Sequence, residues 1–461
     1  MNKLKIFAAT FLAASFMLGV AAIRVVGQGA PSGTLRVDFK NQSGHDVWIT
    51  VLGGLTNGAP PGFWSTNKYL GISADAMKAA PFCITKAQTS FTFLVTAVPY
   101  SGRVFMSLDH PAMGFMMVTN TDKKSPAYMT VAISQPTTAN PSVTPYESQW
   151  QFLEMSRQND PADHTFFMNI SYVDMFHLPY SIQENGTTNK TGIIMSRKDA
   201  LATLAPQFTG MWANCLNYNP NPPFTGKICQ IANPGGLLCA VPSNTVFGVQ
   251  SGYADQASKI WAAKVMPSIT VQCAELVPAP PGTNTFLVNG TFSGGKLNFP
   301  NHPEWGVGGP ESIGVPDFEG IVGCAGSMQP VNKTVQSIFC RNISSAMIVG
   351  VYPPDGVFSK EWWHSDSTRA NLYKTPPYDV YAKAIHTVLY ENKGYAFAFD
   401  DVCGLDGSLG HLKPGTAADC GVTVTVYDCT DFPSVVGANQ GGSAKPAGTN
   451  SQPTNVEGLF P

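Results

Sequence analysis

The chain has 461 residues, 28 Lys plus Arg against 30 Asp plus Glu and a formal net charge of -2. Only 13% of residues are charged, while 44 Gly and 36 Pro punctuate the chain, which excludes a helical bundle or coiled coil built from charged helix formers. No sustained basic run exists, so the electrostatic footprint of nucleic-acid binding, clustered Lys and Arg that displace counterions, is missing.

Lys3 and Lys5 precede an uncharged apolar run from Ile6 to Ile23, followed by Arg24. That order is the n-region and h-region of a secretory signal peptide. Small residues at Gly19-Val20-Ala21 and Val25-Val26-Gly27 place the mature start between residues 22 and 31. An uncleaved anchor is the alternative, because the run is near the lower length limit for a spanning helix. Gly, Pro, Asn and Thr interrupt every later apolar run, so no stable membrane insertion is expected after cleavage. The expected location is extracellular, or periplasmic in a bacterium, and a monomer is the default. All ten cysteines (83, 215, 229, 239, 273, 324, 340, 403, 420 and 429) follow the signal. In an exported chain they are expected to pair as disulfides. No C-x-x-C or H-E-x-x-H spacing occurs, so no metal is expected, and nothing requires an organic cofactor. Sequons begin at Asn41, Asn169, Asn185, Asn189, Asn289, Asn332 and Asn342.

From Leu35 to about Leu178 the pattern is short alternating stretches broken by turn residues. Leu35–Phe39, Val47–Val51, Phe91–Val95 and Phe166–Ile170 read as strands, with turns at Asn41–Gly44 and Pro60–Gly62, a spacing that suits a sandwich or barrel. Helical signals follow: Ser196 caps a run through Leu204, and apolar residues recur with helical spacing over 254–265 and 378–390. This makes the chain mainly β, with a mixed α/β unit interrupting or following the β unit. Beyond about Phe432 the Gly-, Pro-, Ser- and Asn-rich composition predicts a disordered tail, 433–461. The G-x-S-x-G elbow, the Walker loop and the G-x-G-x-x-G fingerprint are all absent.

What remains is carboxylates beside aromatic residues, between Trp150 and Pro179. Period-two alternation puts Trp150, Phe152 and Glu154 on one strand face, and Ile170, Tyr172 and Asp174 on one face of another. A carboxylate that continues an apolar face must be paired, hydrogen-bonded or exposed in a cleft. It can end its strand at the surface, or it can line a cleft with a second carboxyl, as acid/base chemistry on a glycosidic bond requires. In a plain hairpin Glu154 would face a residue near 167, and Asp174 would stand on the order of 20 Å away at about 3.3 Å per residue. A working pair therefore demands a bulge, curvature or another pairing.

Phe152-Leu-Glu154, then Asn169-Ile-Ser-Tyr-Val-Asp174 and Leu178-Pro179, resemble the acidic-cleft region shared by thaumatin-like proteins and glycoside hydrolase family 64, the endo-β-1,3-glucanases. Val315-Pro-Asp-Phe-Glu-Gly-Ile-Val-Gly-Cys324, Phe339-Cys-Arg-Asn-Ile-Ser-Ser-Ala-Met-Ile348, the Tyr378 to His386 segment and Gly394-Tyr-Ala-Phe-Ala-Phe-Asp-Asp-Val402 resemble the glucanase pattern in the same order. The resemblance implies a thaumatin-like β-barrel or sandwich domain and a mixed α/β domain flanking a wide groove for β-1,3-glucan. The implied division is 31–190 for the first part of the β domain, 191–375 for the α/β domain, and 376–432 returning to the β domain. It further implies an inverting hydrolase with Glu154 as general acid, its pKa raised, and Asp174 as general base with an ordinary one. Asp400, Asp401, Tyr172 and Asn169 are the substrate-binding candidates. The rival is a thaumatin-like protein that binds glucan without cutting it. Asn169 stands where such proteins carry an acid, and the chain is about twice their length; both departures favour the hydrolase.

Overall fold

The computed structural model describes residues 35–53, 62–65, 68–95, 101–111, 115–119, 131–134, 149–157, 166–220, 224–234, 268–273, 286–299, 311–315, 318–323, 335–412 and 417–432. The signal segment, the helix expected over 254–265 and the tail lie outside them.

The alternating stretches become strands because period-two burial separates a core face from a solvent face. In β1 (Leu35–Asn41), Leu35, Val37 and Phe39 are buried while Arg36, Asp38 and Lys40 point outward. β2 (Val47–Gly53), β3 (Ser90–Val95), β4 (Ser101–Leu108), β5 (Trp150–Arg157) and β6 (Phe166–Ser171) follow, then β7 (Tyr180–Glu184) and β8 (Val422–Val426). The smaller sheet has the order Lys190–Gly192, β7, β8, β1, β3. Within it β8, from the far end of the chain, lies parallel to β1. The larger sheet, of eight strands, runs Leu409–Leu412, β6, β5, β4, β2 and on through two short strands, with Phe82–Ile84 also on β2. Neither sheet closes into a barrel among the described residues; the architecture is mainly β with several open sheets.

Both faces of the larger sheet are covered. Ile49, Val51, Val104, Met106, Leu153 and Met155 join Val37, Phe39, Ile182 and Val424 of the smaller sheet in one core. The opposite face carries a separate cluster of Leu52, Phe63, Phe105, Trp150 and Phe152, over which Ala76 and Ala80 pack. Glu154 lies two residues beyond Phe152 on this outer face, where the apolar cover ends.

A third sheet, formed by Ser268–Cys273, Phe286–Ser293, Lys296–Phe299, Glu311–Ile313 and Val357–Phe358, packs against the helix α2 (Val335–Val349). Side-chain caps start other helices, at Ser196 as expected and also at Asp379. Ser196 accepts from Asp199 N to start α1 (Arg197–Leu204), and Asp379 accepts from Ala382 N (3.0 Å) to start α4 (Val380–Val388). Between them in the chain lies α3 (Lys360–His364), and the last helix is α5 (Asp400–Cys403). Among the described residues no helix is long and apolar enough to cross a membrane.

Cys83, Cys215, Cys229, Cys403, Cys420 and Cys429 are free thiols, so the disulfides expected for an exported chain do not join these residues. Both amide hydrogens of Asn41 are spent on the His45 and Ile84 carbonyls (2.8 and 3.1 Å), and those of Asn185 on Asp38 and the Cys420 carbonyl (3.0 and 2.8 Å). Neither side chain can carry a glycan without breaking its network.

One buried ion pair ties the turn before β2 to the residue after β4 and makes stability pH-dependent. His45 Nδ1 is 2.9 Å from Asp109 Oδ2 and Nε2 is 3.1 Å from the Cys429 carbonyl, so both nitrogens face acceptors, as only the imidazolium can satisfy. Burial opposes the charge, but Asp109 and the Cys429 carbonyl together raise the pKa above its ordinary 6.5. The contribution is fully present below pH 6.5, the unfolded value, and is lost as pH rises through the folded value. The urea midpoint is expected to fall as pH rises above 6.5 in the parent, and to fall less in His45→Gln. Equal slopes in the two proteins would show that the pair does not act.

Candidate active site

β5 is flanked by β4 on one side and β6 on the other, and the register sets Glu154 between Arg103 of β4 and Asn169 of β6. All three side chains therefore share the outer face. Arg103 donates to Glu154 Oε1 from Nε (3.1 Å) and from Nη2 (2.7 Å), and its guanidinium lies 4.2 Å above the Phe152 ring. Both bonds end on Oε1, and among the described residues none ends on Oε2. Stacking and pairing hold Arg103 in one orientation at the edge of the apolar cover. Asn169 Oδ1 is buried and has no hydrogen-bond donor among the described residues.

The plain hairpin fails where it matters. Glu154 faces Asn169, and β6 ends at Ser171, so Asp174 does not continue along the sheet. The chain bends at Val173 and Asp174, and Met175–Phe176 then pairs with Ile228–Ala232 of another sheet. The bend is pinned by Gln151, whose Nε2 donates to the Ser171 carbonyl (2.8 Å) and the Met175 carbonyl (3.2 Å). Asn233 N donates to the Asp174 carbonyl (2.9 Å). The result returns Asp174 to the patch: burial pushes its carboxyl above the usual carboxylate range, Arg103 opposes that shift and Glu154 adds to it. Asp174 keeps some of its surface open, as a group at the bottom of a recess does, yet desolvation dominates. The expectation of an ordinary Asp174 is thereby corrected, because burial strips water from its carboxyl.

The sequence profile of the β-1,3-glucanases of glycoside hydrolase family 64 matches residues 33–424. The chain belongs to this family. A glucan endo-1,3-β-glucosidase of Arthrobacter sp. (strain YCWD3) is 25% identical over 257 residues, 54% of this chain and 41% of that protein. The chain thus spans less than half the length of that curated relative. The fold is shared with a family 64 β-1,3-glucanase domain from Clostridium beijerinckii (17% identity, TM-score 0.64, covering 87% of this chain and 100% of that one). It is also shared with a laminaripentaose-producing β-1,3-glucanase in complex with laminaritetraose (18% identity, TM-score 0.63, covering 86% and 99%).

In this family 64 chain the remaining candidates separate by burial. Asp401, in the first turn of α5, pairs with Arg341 of α2 at the surface. Its neighbour Asp400 is fully buried: Oδ2 accepts from Ala396 N (2.6 Å) and Phe397 N (3.0 Å), and Oδ1 meets His386 Nε2 (3.0 Å). Asp400 therefore builds the turn before α5 and touches no sugar, and only Asp401 remains available to one. Tyr172 is also fully buried, with its hydroxyl at the Leu178 carbonyl (3.2 Å). It supports the bend rather than a ligand, because alternation stops where β6 ends.

Sequence reasoning passed over Arg103 and Tyr395. Arg103 was visible as the lone charge in the apolar strand Ser101–Leu108. Burial raises the Tyr395 hydroxyl well above its ordinary value and the charges of Asp401, Asp406 and Glu154 add to the shift, so this half-buried residue lies within electrostatic reach of both Glu154 and Asp401. Of the tryptophans near this end, Trp363 is buried and bonds Asn342 Oδ1 (2.7 Å), whereas Trp362 is half-buried beside it. Among the described residues no three metal-ligating side chains converge.

Proposed function

We propose that this chain is a secreted endo-β-1,3-glucanase that hydrolyses its substrate with inversion, using Glu154 and Asp174 as the two carboxyl groups. The observation that carries the proposal is the return of Asp174 to the Arg103–Glu154 patch, where its carboxyl feels both the guanidinium and Glu154. Inversion needs one group to protonate the leaving oxygen while the other takes a proton from water on the opposite face of the sugar, with about 6.5–9.5 Å between them.

The family resemblance assigns the acid to Glu154 and the base to Asp174. Burial raises the Asp174 carboxyl above the usual carboxylate range, while Glu154 is the ion-pair partner of Arg103. The assignment requires Asp174 to be ionised and Glu154 to carry the proton when substrate places a water at Asp174. Oε2 of Glu154, the oxygen outside the Arg103 pair, is the atom that would carry it.

Asn169 Oδ1 offers an acceptor to a sugar hydroxyl or to a water beside Glu154, since a buried carbonyl oxygen seeks a donor. Asp401, Arg341 and the Tyr395 ring would line the groove between a thaumatin-like β unit and the helical side. The laminaritetraose held by one structural relative supports the same ligand class here. Secretion rests on the leader-like residues 3–27 and on a polymeric substrate.

Incubation of the protein with soluble β-1,3-glucan, with products resolved by size and anomeric form, tests the reading. Short oligosaccharides released first in the inverted anomeric form are expected. Glucan binding without any cleavage would leave the non-catalytic glucan-binding protein instead.

A further inference from the structure

The segment from Ser171 to His177 carries Asp174, and between β6 and the Met175–Phe176 pairing it is held by side chains and by one backbone bridge to Tyr395. The Tyr172 carbonyl accepts from Tyr381 Oη (2.5 Å), and Tyr172 N donates to the Tyr395 carbonyl (2.7 Å). Gln151 donates to the carbonyls of Ser171 and Met175 and accepts from His177 N (3.2 Å), so one amide clasps both ends of the bend. Gln151 is fully buried, and the three groups it meets satisfy its oxygen and both of its amide hydrogens.

The hydroxyl of Tyr180 does something different. It accepts from Ser171 N (2.8 Å) and donates to the Phe152 carbonyl (2.6 Å). Phe152 and Ser171 are the register partners at the end of the β5–β6 ladder. The last rung thus runs through a phenol that reaches across the core from β7 in the other sheet. Two hydrogen bonds in series hold the strands farther apart than one bond would. β6 parts from β5 at Ser171, three residues before Asp174.

We propose that Tyr180 and Gln151 are positioning residues for glucan hydrolysis: the phenol in the last rung and the amide across the bend together set where Asp174 stands relative to Glu154. The inference rests on the reading of Glu154 and Asp174 as the acid/base pair. Neither Tyr180 nor Gln151 touches substrate, since both are sealed in the core. Their effect is geometric, and displacement of a reacting group by about 1 Å can cost about 100-fold in rate.

Tyr180→Phe removes one oxygen and lets the rung close directly, drawing Ser171 toward Phe152. On soluble β-1,3-glucan, kcat is expected to fall about 100-fold with KM within about threefold, the pattern of lost transition-state geometry rather than lost binding. Amide exchange should quicken in 171–177, while β1, β2 and β8 keep their protection. Gln151→Met should give the same pattern, so poor folding of one variant does not remove the test. Parent-like kcat in the variants overturns the inference, as does a fall in kcat that tracks loss of folded protein with exchange in 171–177 unchanged. Asp174→Asn in the same series separates the two ideas. If that variant cleaves like the parent, or the parent cleaves no β-1,3-glucan, both fail. If it is inert while Tyr180→Phe and Gln151→Met are parent-like, only the positioning inference fails.

Discussion

Glu154→Gln and Asp174→Asn each lower kcat on β-1,3-glucan by about 100- to 10,000-fold, the range that loss of general acid or base catalysis covers. Both changes are isosteric, and Gln keeps an oxygen for Arg103, so binding of glucan persists. The two variants are told apart by the step each carboxyl serves. An aryl laminari-oligoside whose phenol leaves without protonation bypasses the acid, so Glu154→Gln should still cleave it. Asp174→Asn should not, because no group activates water. Added azide, a nucleophile that needs no base, should restore cleavage in Asp174→Asn and yield an inverted glycosyl azide. The opposite pattern would assign the proton donor to Asp174, where burial favours the proton in the free site. Equal retention of glucan cleavage in both variants would remove the pair from the mechanism.

Arg197→Met is expected to cost about 3–5 kcal/mol of stability, the range seen when a buried ion pair loses one partner. Arg197 opens α1 and is 1% exposed despite its charge. Its Nε donates to the His177 carbonyl (2.9 Å), Nη1 to Asp431 (2.7 Å), and Nη2 to the carbonyls of Ile228 and Cys229 (2.9 and 3.0 Å). The ring of Phe432 covers the guanidinium at 5.1 Å. One side chain thus joins the end of the Asp174 segment, the strand Ile228–Ala232 and the last described residues. Met fills most of the volume but leaves three carbonyls without their donor, each worth about 1–3 kcal/mol when buried. Asp431 is partly exposed and can recover water, so the carbonyls carry most of the loss. Urea unfolding of parent and variant measures the difference. A change under about 1 kcal/mol, typical of surface pairs, would show that water replaces the guanidinium.

Local periodicity carried much of the fold. Alternation in Leu35–Asn41 and Trp150–Arg157 follows directly from which residues avoid water, and Ser196 and Asp379 cap their helices because their oxygens reach amides three residues on. The same alternation placed Glu154 on the face of Trp150 and Phe152, and the order of motifs named the family. Ten cysteines in an exported-looking chain argued for disulfides, yet six of them stand as thiols, because composition says nothing of which sulfurs meet.

What the amino-acid order determined by itself, then, was the strand pattern, the helix starts, the face on which Glu154 lies and the family. Only the tertiary structure decided that Arg103 and Asn169 flank Glu154, because sheet register is set between strands rather than within one. Only it separated Asp401 from the buried Asp400, adjacent residues that local spacing cannot distinguish. It also brought Asp174 back to Glu154. That return depends on hydrogen bonds with Gln151, Tyr180, Tyr381 and the Tyr395 carbonyl, up to 223 positions away in the chain, whose partners are backbone atoms that no pattern of side chains records.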